Sequence, residues 1–119
     1  MTPIYMRIAQ WLEDCILDGS LKEDERIYSQ YQLAEMFNIN PATAAKGLNL
    51  LADESMVYKK RGLGMFVSID ARRLILEKRR GGAFNEMARQ LVTEAKRLEI
   101  DEEKLVFEIK EIFESGAGA

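Results

Sequence analysis

The residues of this sequence that could do chemistry are mainly cations in one short region. Lys59, Lys60 and Arg61 are consecutive and are followed by Gly62, a residue type that permits close approach of a ligand to the backbone. The surrounding stretch 57–80 contains eight Lys or Arg residues and two acids, so its net charge is +6. Such a local basic patch suits phosphate binding, although a solvated charged face without a partner would have the same composition.

The whole chain has a formal net charge of −3, which by itself argues against a nucleic-acid partner. The acids, however, are concentrated elsewhere: residues 99–114 contain seven of them against two lysines, a net charge of −5. Because binding to a polyanion depends on the local field, this uneven distribution is a better guide than the sum.

The stretch 40–51 predicts a helix with a marked start. Asn40 is a good N-cap residue, and Pro41 suits the first helical position, where its missing N–H is not needed. Small and apolar residues recur at helical spacing on the face that we expect to pack inward: Ala44, Gly47, Leu48 and Leu51. The opposite face carries Ala42, Lys46 and Asn49, with Thr43 and Ala45 at its edges. This outward face is small, polar and free of acids, so it could enter a groove of DNA, although an ordinary surface helix would look similar.

The flanking segments indicate the fold around this helix. Residues 32–37 predict a short helix with Leu33 inward, and Ser29 is a plausible cap before it. Two strand-like runs, 57–61 and 65–69, surround a glycine-bearing loop and predict a β-hairpin. Helix, tight turn, helix and basic hairpin is the order of elements in a winged helix-turn-helix.

Several short motifs in residues 3–69 occur in the same order in a known family. They are Pro3-Ile4-Tyr5 with Ile8, Ile16-Leu17-Asp18-Gly19-Ser20-Leu21, Ser29, Leu33-Ala34, Asn40-Pro41-Ala42-Thr43, Leu51 and Gly62-Leu63-Gly64-Met65-Phe66-Val67. On these motifs, the segment resembles the DNA-binding domain of the GntR family of bacterial transcription regulators. The Asn-Pro-Ala-Thr start and the short C-terminal part resemble most of all its YtrA subgroup. The resemblance implies a fold that is mainly α with a small β-hairpin: an N-terminal winged helix-turn-helix and a short α-helical C-terminal dimerisation region.

The resemblance also implies two groups of DNA contacts. Asn40, Ala42 and Thr43 take positions at which family members touch DNA, at the start of the recognition helix. Arg61 and Gly62 take positions at the wing tip, which enters the adjacent minor groove in family complexes. A cation beside a glycine suits a narrow minor groove, where the electrostatic potential is strongly negative.

Five further residues are candidates for contacts with phosphates or base edges. Tyr31 stands where the family usually has an arginine, and its hydroxyl can hydrogen-bond a phosphate but cannot release a counterion. Lys46 and Asn49 lie on the outward face of the recognition helix, and Lys46 should be free to meet DNA. Lys59 and Lys60 complete the basic hairpin.

Enzymatic chemistry is not indicated. The sequence contains no histidine, so the commonest general base and the commonest metal ligand are missing. The single cysteine, Cys15, cannot form a Cys-rich zinc site or an internal disulfide, and it shares an apolar helical face with Ile8 and Leu12, which predicts a buried position. We therefore expect no enzyme, no metal and no cofactor. No apolar run reaches the roughly 18–20 residues that span a bilayer, and no signal-peptide pattern is present, so the sequence indicates a cytoplasmic protein without a membrane partner.

The composition changes at residue 70, where we expect a domain boundary. A winged helix-turn-helix would occupy 1–69, and a helical dimerisation region with a flexible tail from 115 would occupy 70–119. A seven-residue pattern continues through two glycines and predicts one long helix over 71–98, bent at Gly81 and Gly82. The two glycines could also break it, so the sequence leaves open whether 71–98 is one helix or two. The predicted dimer seam consists of Leu74, Gly81, Ala88 and Ala95 at one position and Phe84, Leu91 and Leu98 at the other. The alternative is that this seam packs within the chain, against Leu105, Ile109 and Ile112.

These features together predict a sequence-specific DNA-binding regulator, a repressor by resemblance, that binds a palindromic operator in double-stranded DNA as a homodimer. The alternative is a winged-helix module for protein–protein contact, whose basic hairpin binds an acidic partner. Only about fifty residues follow the wing, and they can hardly enclose a metabolite pocket. The sequence leaves open the effector, the operator sequence, the regulated genes and the sign of regulation.

Overall fold

The computed structural model describes residues 1–116 and shows a mainly helical fold with one small antiparallel hairpin, as the sequence predicts. Its elements, in chain order, are α1 (Ile4–Leu17), α2 (Gln30–Phe37), α3 (Pro41–Asp53), β1 (Val57–Lys60), β2 (Gly64–Val67), α4 (Ala71–Gly81), α5 (Ala83–Arg97) and α6 (Glu102–Ser115). No helix in this range combines the length and the apolar character that crossing a bilayer requires.

The turn between α2 and α3 is defined by side-chain caps. Ser29 and Gln32 form a reciprocal pair at the start of α2: the Gln32 N–H donates to Ser29 Oγ at 3.1 Å, and the Ser29 N–H donates to Gln32 Oε1 at 2.8 Å. Asn38 ends α2 in the left-handed conformation, with φ of 53°, which asparagine tolerates better than most residues. Asn40 then accepts the backbone N–H of Ala42 at 2.8 Å and caps α3. The predicted caps at Ser29 and Asn40 are confirmed.

The chain divides into two compact units, Met1–Lys78 and a second that begins at Arg79. This division lies later in the chain than the predicted boundary at 69/70, because the first part of α4 packs with the winged helix. Ala71 and Ile75 are both buried in the core of the first unit. Burial of these two side chains makes the start of α4 part of the first unit.

The hydrophobic core of the first unit is built from α1, α2, α3, the hairpin and the start of α4. The inward face predicted for α3 is confirmed, because its four residues Ala44, Gly47, Leu48 and Leu51 are buried. Cys15 is also buried, as predicted, and this burial, with the nearby charge of Asp18, raises the pKa of its thiol and disfavours the reactive thiolate. Other members of the core are Ile8, Ala9, Leu12, Ile16, Leu21, Ile27, Leu33, Met56, Val57 and Val67.

α3 approaches α1 so closely at one point that a side chain has no room. A Cβ atom built on Gly47 would lie 2.8 Å from the carbonyl oxygen of Tyr5 and 3.4 Å from Cβ of Ile8. The first distance is shorter than van der Waals contact, and the oxygen belongs to the backbone, so it cannot move aside unless α1 itself moves. The glycine therefore determines how close α3 lies to α1.

The hairpin is bordered by the segment that precedes α2. β1 and β2 pair antiparallel, with Lys60 opposite Gly64. On the other edge of β2, Arg26 forms a bridge with Phe66, and the backbone N–H of Ile27 donates to a carbonyl of β2 at 2.8 Å. Because Ile27 is buried in the core, this segment ties the hairpin to the helices.

The part of α4 that belongs to the first unit is held by an ion pair with a buried carboxylate. Lys78 Nζ lies 2.8 Å from Oε2 of Glu13 on α1 and 2.9 Å from Oε2 of Glu54, the C-cap residue of α3. Burial of the ammonium alone would lower its pKa, but the hydrogen bonds and negative charges of the two glutamates outweigh this effect, so the pKa of Lys78 lies above its ordinary value. Since Glu13 is 1% exposed, its charge requires such a partner.

Residues 71–98 do not form the single helix that the seven-residue pattern predicts. α4 ends at Gly81 and α5 begins at Ala83, and Gly82 lies between them with φ of −113° and ψ of −88°, outside the helical region. Glycine destabilises a helix interior by about 1 kcal/mol relative to alanine, so two in succession form the weakest point of the segment. The continuous side-chain register was misleading because it carries no information about the backbone at the glycines.

α6 begins and ends with clear caps. The backbone N–H of Lys104 donates to Asp101 Oδ1 at 2.8 Å, and Gly116 follows the helix in the left-handed conformation with φ of 73°. Ser115 is the last residue of α6, so the predicted flexible tail at 115–119 is wrong for Ser115. Residues 117–119 of that tail lie outside the described residues.

We expect Gly47→Ala to destabilise the first unit. The added Cβ must push against the backbone of α1, and overpacking of this kind costs about 1–3 kcal/mol, against a gain in helix propensity of at most about 1 kcal/mol. The midpoint of chemical denaturation, followed by circular dichroism, should fall. Gly81→Ala is the matched control, because nothing lies within 4 Å of a Cβ at that position, and its midpoint should stay or rise. An unchanged midpoint for Gly47→Ala would show that α1 and α3 can move apart to accommodate the methyl group without a loss of stability.

Candidate nucleic-acid interface

The outward face of α3 carries the predicted residues on the surface of the protein. Ala42, Lys46 and Asn49 are exposed, and Thr43 is half-buried at the edge of the face. Asn40 is exposed although its side-chain oxygen caps the helix, which leaves its amide N–H groups for a ligand. The structure thus brings together the five candidates that the sequence places on this helix.

Lys46 is exposed on the outward face of α3, and its side chain lies against an aromatic ring. Its ammonium lies over the ring of Tyr5, a half-buried residue of α1, with Nζ 4.2 Å from the ring centroid. A cation at this distance is attracted by the negative face of the ring. No local sequence pattern indicates this contact between the first turn of α1 and the middle of α3.

Tyr31 lies at the start of α2 and points into solvent. It is the second residue of the helix, and 69% of its surface is exposed. Its hydroxyl is therefore accessible to a phosphate, as the sequence analysis expects of the residue that replaces the family's arginine.

The two lysines of the hairpin belong to opposite faces of it. Neighbouring residues in a strand point to opposite sides, and Lys59 pairs with Met65, whose side chain packs against the core. Lys60 belongs to the outer face, where its ammonium lies 4.6 Å from the ring centroid of Phe66. The hairpin therefore offers cations from both faces, and Lys60 is held over an aromatic ring as Lys46 is.

The tip of the hairpin consists of exposed residues in a tight turn. Arg61, Gly62 and Leu63 connect the two strands, and the Leu63 N–H donates to the Lys60 carbonyl at 2.9 Å. Gly62 has φ of +77°, a conformation that residues with side chains rarely adopt, and nothing lies within 4 Å of a Cβ at this position. The backbone at Gly62 is thus open to close approach, and the residue before it, Arg61, is exposed.

Arg26 is a further cation beside the hairpin, and it is not among the residues that the sequence predicts for this surface. A Cβ built on Gly64 would lie 3.0 Å from Nε of Arg26, so the guanidinium rests against the glycine. The neighbouring acids have other partners: Asp24 accepts the Tyr58 hydroxyl at 2.8 Å, which raises the pKa of that phenol, and Glu25 accepts a backbone N–H at 2.9 Å. Only strand pairing brings Arg26 beside the hairpin, and local sequence patterns do not reveal such pairing.

The residues of the predicted dimer seam differ in how exposed they are. Leu74 is half-buried against the core of the first unit, so part of its side chain stays accessible. Ala95 is only 5% exposed, so its side chain is already covered within the chain. The other seam residues are exposed: Gly81, Phe84, Ala88, Leu91 and Leu98. Met87 and Val92, which the seven-residue pattern did not select, are exposed beside them.

The chemistry of the α3 and hairpin surfaces is that of binding rather than of catalysis. They present ammonium and guanidinium groups, side-chain amides and open backbone, and such groups meet phosphates and base edges. Among residues 1–116, His, Cys, Asp and Glu form no group of three that could hold a metal ion.

Comparison with known proteins shows the same domain in bacterial regulators. Residues 4–67 match the family described as "Bacterial regulatory proteins, gntR family". The HTH-type transcriptional repressor YtrA of Bacillus subtilis (strain 168) is 32% identical over 111 residues, which are 93% of this chain and 85% of YtrA. A GntR-family transcriptional regulator from Bacteroides thetaiotaomicron has a crystal structure that is 27% identical, with a TM-score of 0.78 over 96% of this chain and 99% of that chain.

A second similar structure contains DNA. The DNA-binding domain of AraR in complex with an operator is 25% identical, covers 57% of this chain and 82% of the AraR chain, and has a TM-score of 0.55. The similarity to YtrA and to the Bacteroides regulator, in contrast, extends over nearly the whole chain. The relatives are regulators and not enzymes, in agreement with the absence of catalytic groups that the sequence predicts. Because the family pattern matches more than half of its length and its winged helix-turn-helix has the expected order of elements, the chain belongs to the GntR family of bacterial regulatory proteins.

Proposed function

We propose that this protein is a sequence-specific DNA-binding repressor that acts as a homodimer on a palindromic operator. The observation that carries the proposal is an exposed, acid-free face on α3 together with a cationic hairpin in the same winged helix. The name of YtrA describes a repressor, and the AraR domain was crystallised with operator DNA; both findings support the proposal.

The two surfaces have different roles in this proposal. The face of α3 enters the major groove, where Lys46 and Asn49 reach phosphates or base edges and the small side chains of Ala42 and Thr43 allow close approach. The tip of the hairpin, Arg61 and Gly62, enters the adjacent minor groove. Phosphate contacts that set the register come from Tyr31, Asn40, Lys59 and Lys60.

Sequencing the genomic fragments that the protein retains tests this function. A twofold dimer places two recognition helices about 34 Å apart, so the fragments should share an inverted repeat whose half-sites are one helical turn, or a multiple of it, apart. Affinity for such a fragment should fall steeply with salt, because each phosphate contact releases a counterion. The proposal would be overturned if the fragments shared no motif and the affinity for random duplex DNA did not depend on salt. This result would favour an acidic protein as the partner of the hairpin.

We expect the hairpin variants to separate base-groove contacts from phosphate contacts. Arg61→Ala should weaken binding to the retained fragment by about 1–3 kcal/mol, because the guanidinium reads the groove. Lys60→Gln should mainly lower the slope of log affinity against log salt by about one, because one phosphate contact is lost. Both are measured by fluorescence anisotropy at several salt concentrations.

Lys22→Gln is the matched control for the hairpin variants. Lys22 is exposed and lies in the same unit, but it precedes the acids Glu23, Asp24 and Glu25 and is not part of the proposed interface. Its affinity and salt slope should equal those of the unmodified protein. If Arg61→Ala and Lys60→Gln behave like this control, the hairpin does not contact DNA.

We propose that the dimer forms through the exposed apolar surface of α5. Phe84, Met87, Ala88, Leu91 and Val92 follow the spacing of one helix face and are all exposed. A contiguous apolar face in water marks an interaction surface, and a palindromic operator requires a second copy of this chain as the occupant. The small side chain of Ala88 lets another helix approach closely while the large residues fill the space around it.

We expect Ala88→Glu to convert the dimer into a folded monomer. The new carboxylate would be buried without a partner in the interface, whereas in the single chain position 88 is exposed and tolerates it. Analytical ultracentrifugation should show a monomer, and affinity for the operator should fall sharply. Gln90→Glu adds the same charge to the polar side of α5 and should leave the oligomeric state and the affinity for the operator unchanged. A folded Ala88→Glu protein that stays a dimer would exclude this face of α5 from the interface.

A further inference from the structure

Tyr5 has no role in the interface described above, yet two neighbouring residues of the recognition helix are packed against it. Its ring lies beneath the ammonium of Lys46, with Nζ 4.2 Å from the centroid. Its carbonyl oxygen is the atom that lies 2.8 Å from the position of a Cβ on Gly47. The close approach of the two backbones therefore holds ring and ammonium opposite each other.

A ring beneath a lysine changes what the lysine can do for a ligand. A lysine on a helix surface has many rotamers. A ligand that binds only one of them reduces the side-chain entropy, and this loss lowers the affinity. The ring attracts the cation and reduces the number of rotamers before the ligand arrives, and such preorganisation increases affinity. Unlike a carboxylate, the ring does not neutralise the charge, and the ammonium N–H groups that point away from it remain available to a phosphate or a base edge.

We propose that Tyr5 is a positioning residue for DNA binding, whose ring holds Lys46 on the outward face of α3 in a conformation that is ready to contact DNA. This inference rests on the proposed function, because it requires that Lys46 contacts DNA. It extends the binding machinery to α1, the helix that otherwise serves to support the helix-turn-helix.

The opposite effect of the ring would be to hold the lysine back. If Lys46 had to leave Tyr5 in order to reach DNA, removal of the ring would strengthen binding instead of weakening it. The sign of the change in affinity therefore distinguishes a positioning ring from a competing one.

The test measures the affinity of full-chain variants for the tightest-binding duplex among the retained genomic fragments, at several salt concentrations. Tyr5→Leu should lose about two- to five-fold in affinity, the range that corresponds to a cation–π contact at an exposed site. Tyr5→Phe keeps the ring and should retain most of the affinity. Lys46→Gln should lower the salt slope by about one, whereas Tyr5→Leu should leave the slope unchanged because the charge is still present.

A double-mutant cycle separates positioning of the lysine from general support of the fold. In the presence of Lys46→Gln, Tyr5→Leu should have no further effect on affinity, because the residue that the ring positions is gone. A merely structural role would give the same loss in both backgrounds. The matched control is Lys60→Gln, which removes the other lysine held over a ring, and its effect should add to that of Tyr5→Leu.

NMR spectra of the free protein give a readout that does not involve DNA. Because Nζ of Lys46 lies 4.2 Å from the ring centroid, we expect the ring current to shift the adjacent methylene protons upfield. Tyr5→Leu should remove this shift and Tyr5→Phe should keep it. If Tyr5→Leu proves unfolded, the comparison rests on Tyr5→Phe, and a large loss of affinity in that variant with the shift intact would overturn the role of the ring.

The outcomes distinguish failure of this inference from failure of the proposed function. Stronger binding by Tyr5→Leu, or an equal loss with and without Lys46→Gln, overturns the positioning role alone. If Lys46→Gln, Arg61→Ala and Lys60→Gln all leave DNA binding unchanged, the proposed function itself fails.

Discussion

The contact between Gly47 and the carbonyl oxygen of Tyr5 is the constraint on which the proposed DNA-binding surface depends. A Cβ at Gly47 would lie 2.8 Å from that oxygen, so α3 can lie at its observed distance from α1 only because the side chain is missing. With this distance set, Ala44 and Leu48 are buried in the core and Lys46 emerges beside the ring of Tyr5. One absent side chain thus determines both the position of the recognition helix and the surroundings of its lysine.

The charge of this protein acts locally. Its formal net charge is −3, yet the stretch 57–80 carries +6, and Arg26 joins the hairpin from an earlier part of the chain. At physiological salt the field of a charge is screened over about 8 Å, so a phosphate at the hairpin responds mainly to the cations close to it. Aromatic rings under Lys46 and Lys60 order two of these cations without neutralising them.

A buried carboxylate gives α4 its place in the first unit. Glu13 is buried on α1, and Lys78 bridges it to Glu54 at the C-terminal end of α3. A buried charge that loses its partner is strongly destabilising, so this bridge keeps the helix after the hairpin attached to the end of the recognition helix. α4 continues beyond Lys78 to Gly81, and the same helix is therefore part of the DNA-binding core at its start and leads into the second unit at its end.

The sequence by itself determined the features whose physical causes are local. The caps at Ser29 and Asn40, the inward face of α3 and the glycine tip of the hairpin follow from hydrogen bonds and periodicity among near neighbours, so each could be predicted. The tertiary structure alone decided the Tyr5 ring beneath Lys46, the Arg26 guanidinium against the hairpin, the Lys78 bridge to Glu13, and the burial of Ala95 and, in part, of Leu74. The seven-residue pattern after the hairpin predicted an apolar stripe, but it could not show what covers each position or that the backbone breaks at Gly82. A capping bond depends on residues a few positions apart, whereas a contact between distant residues depends on where the packing of the whole core places the helices that carry them.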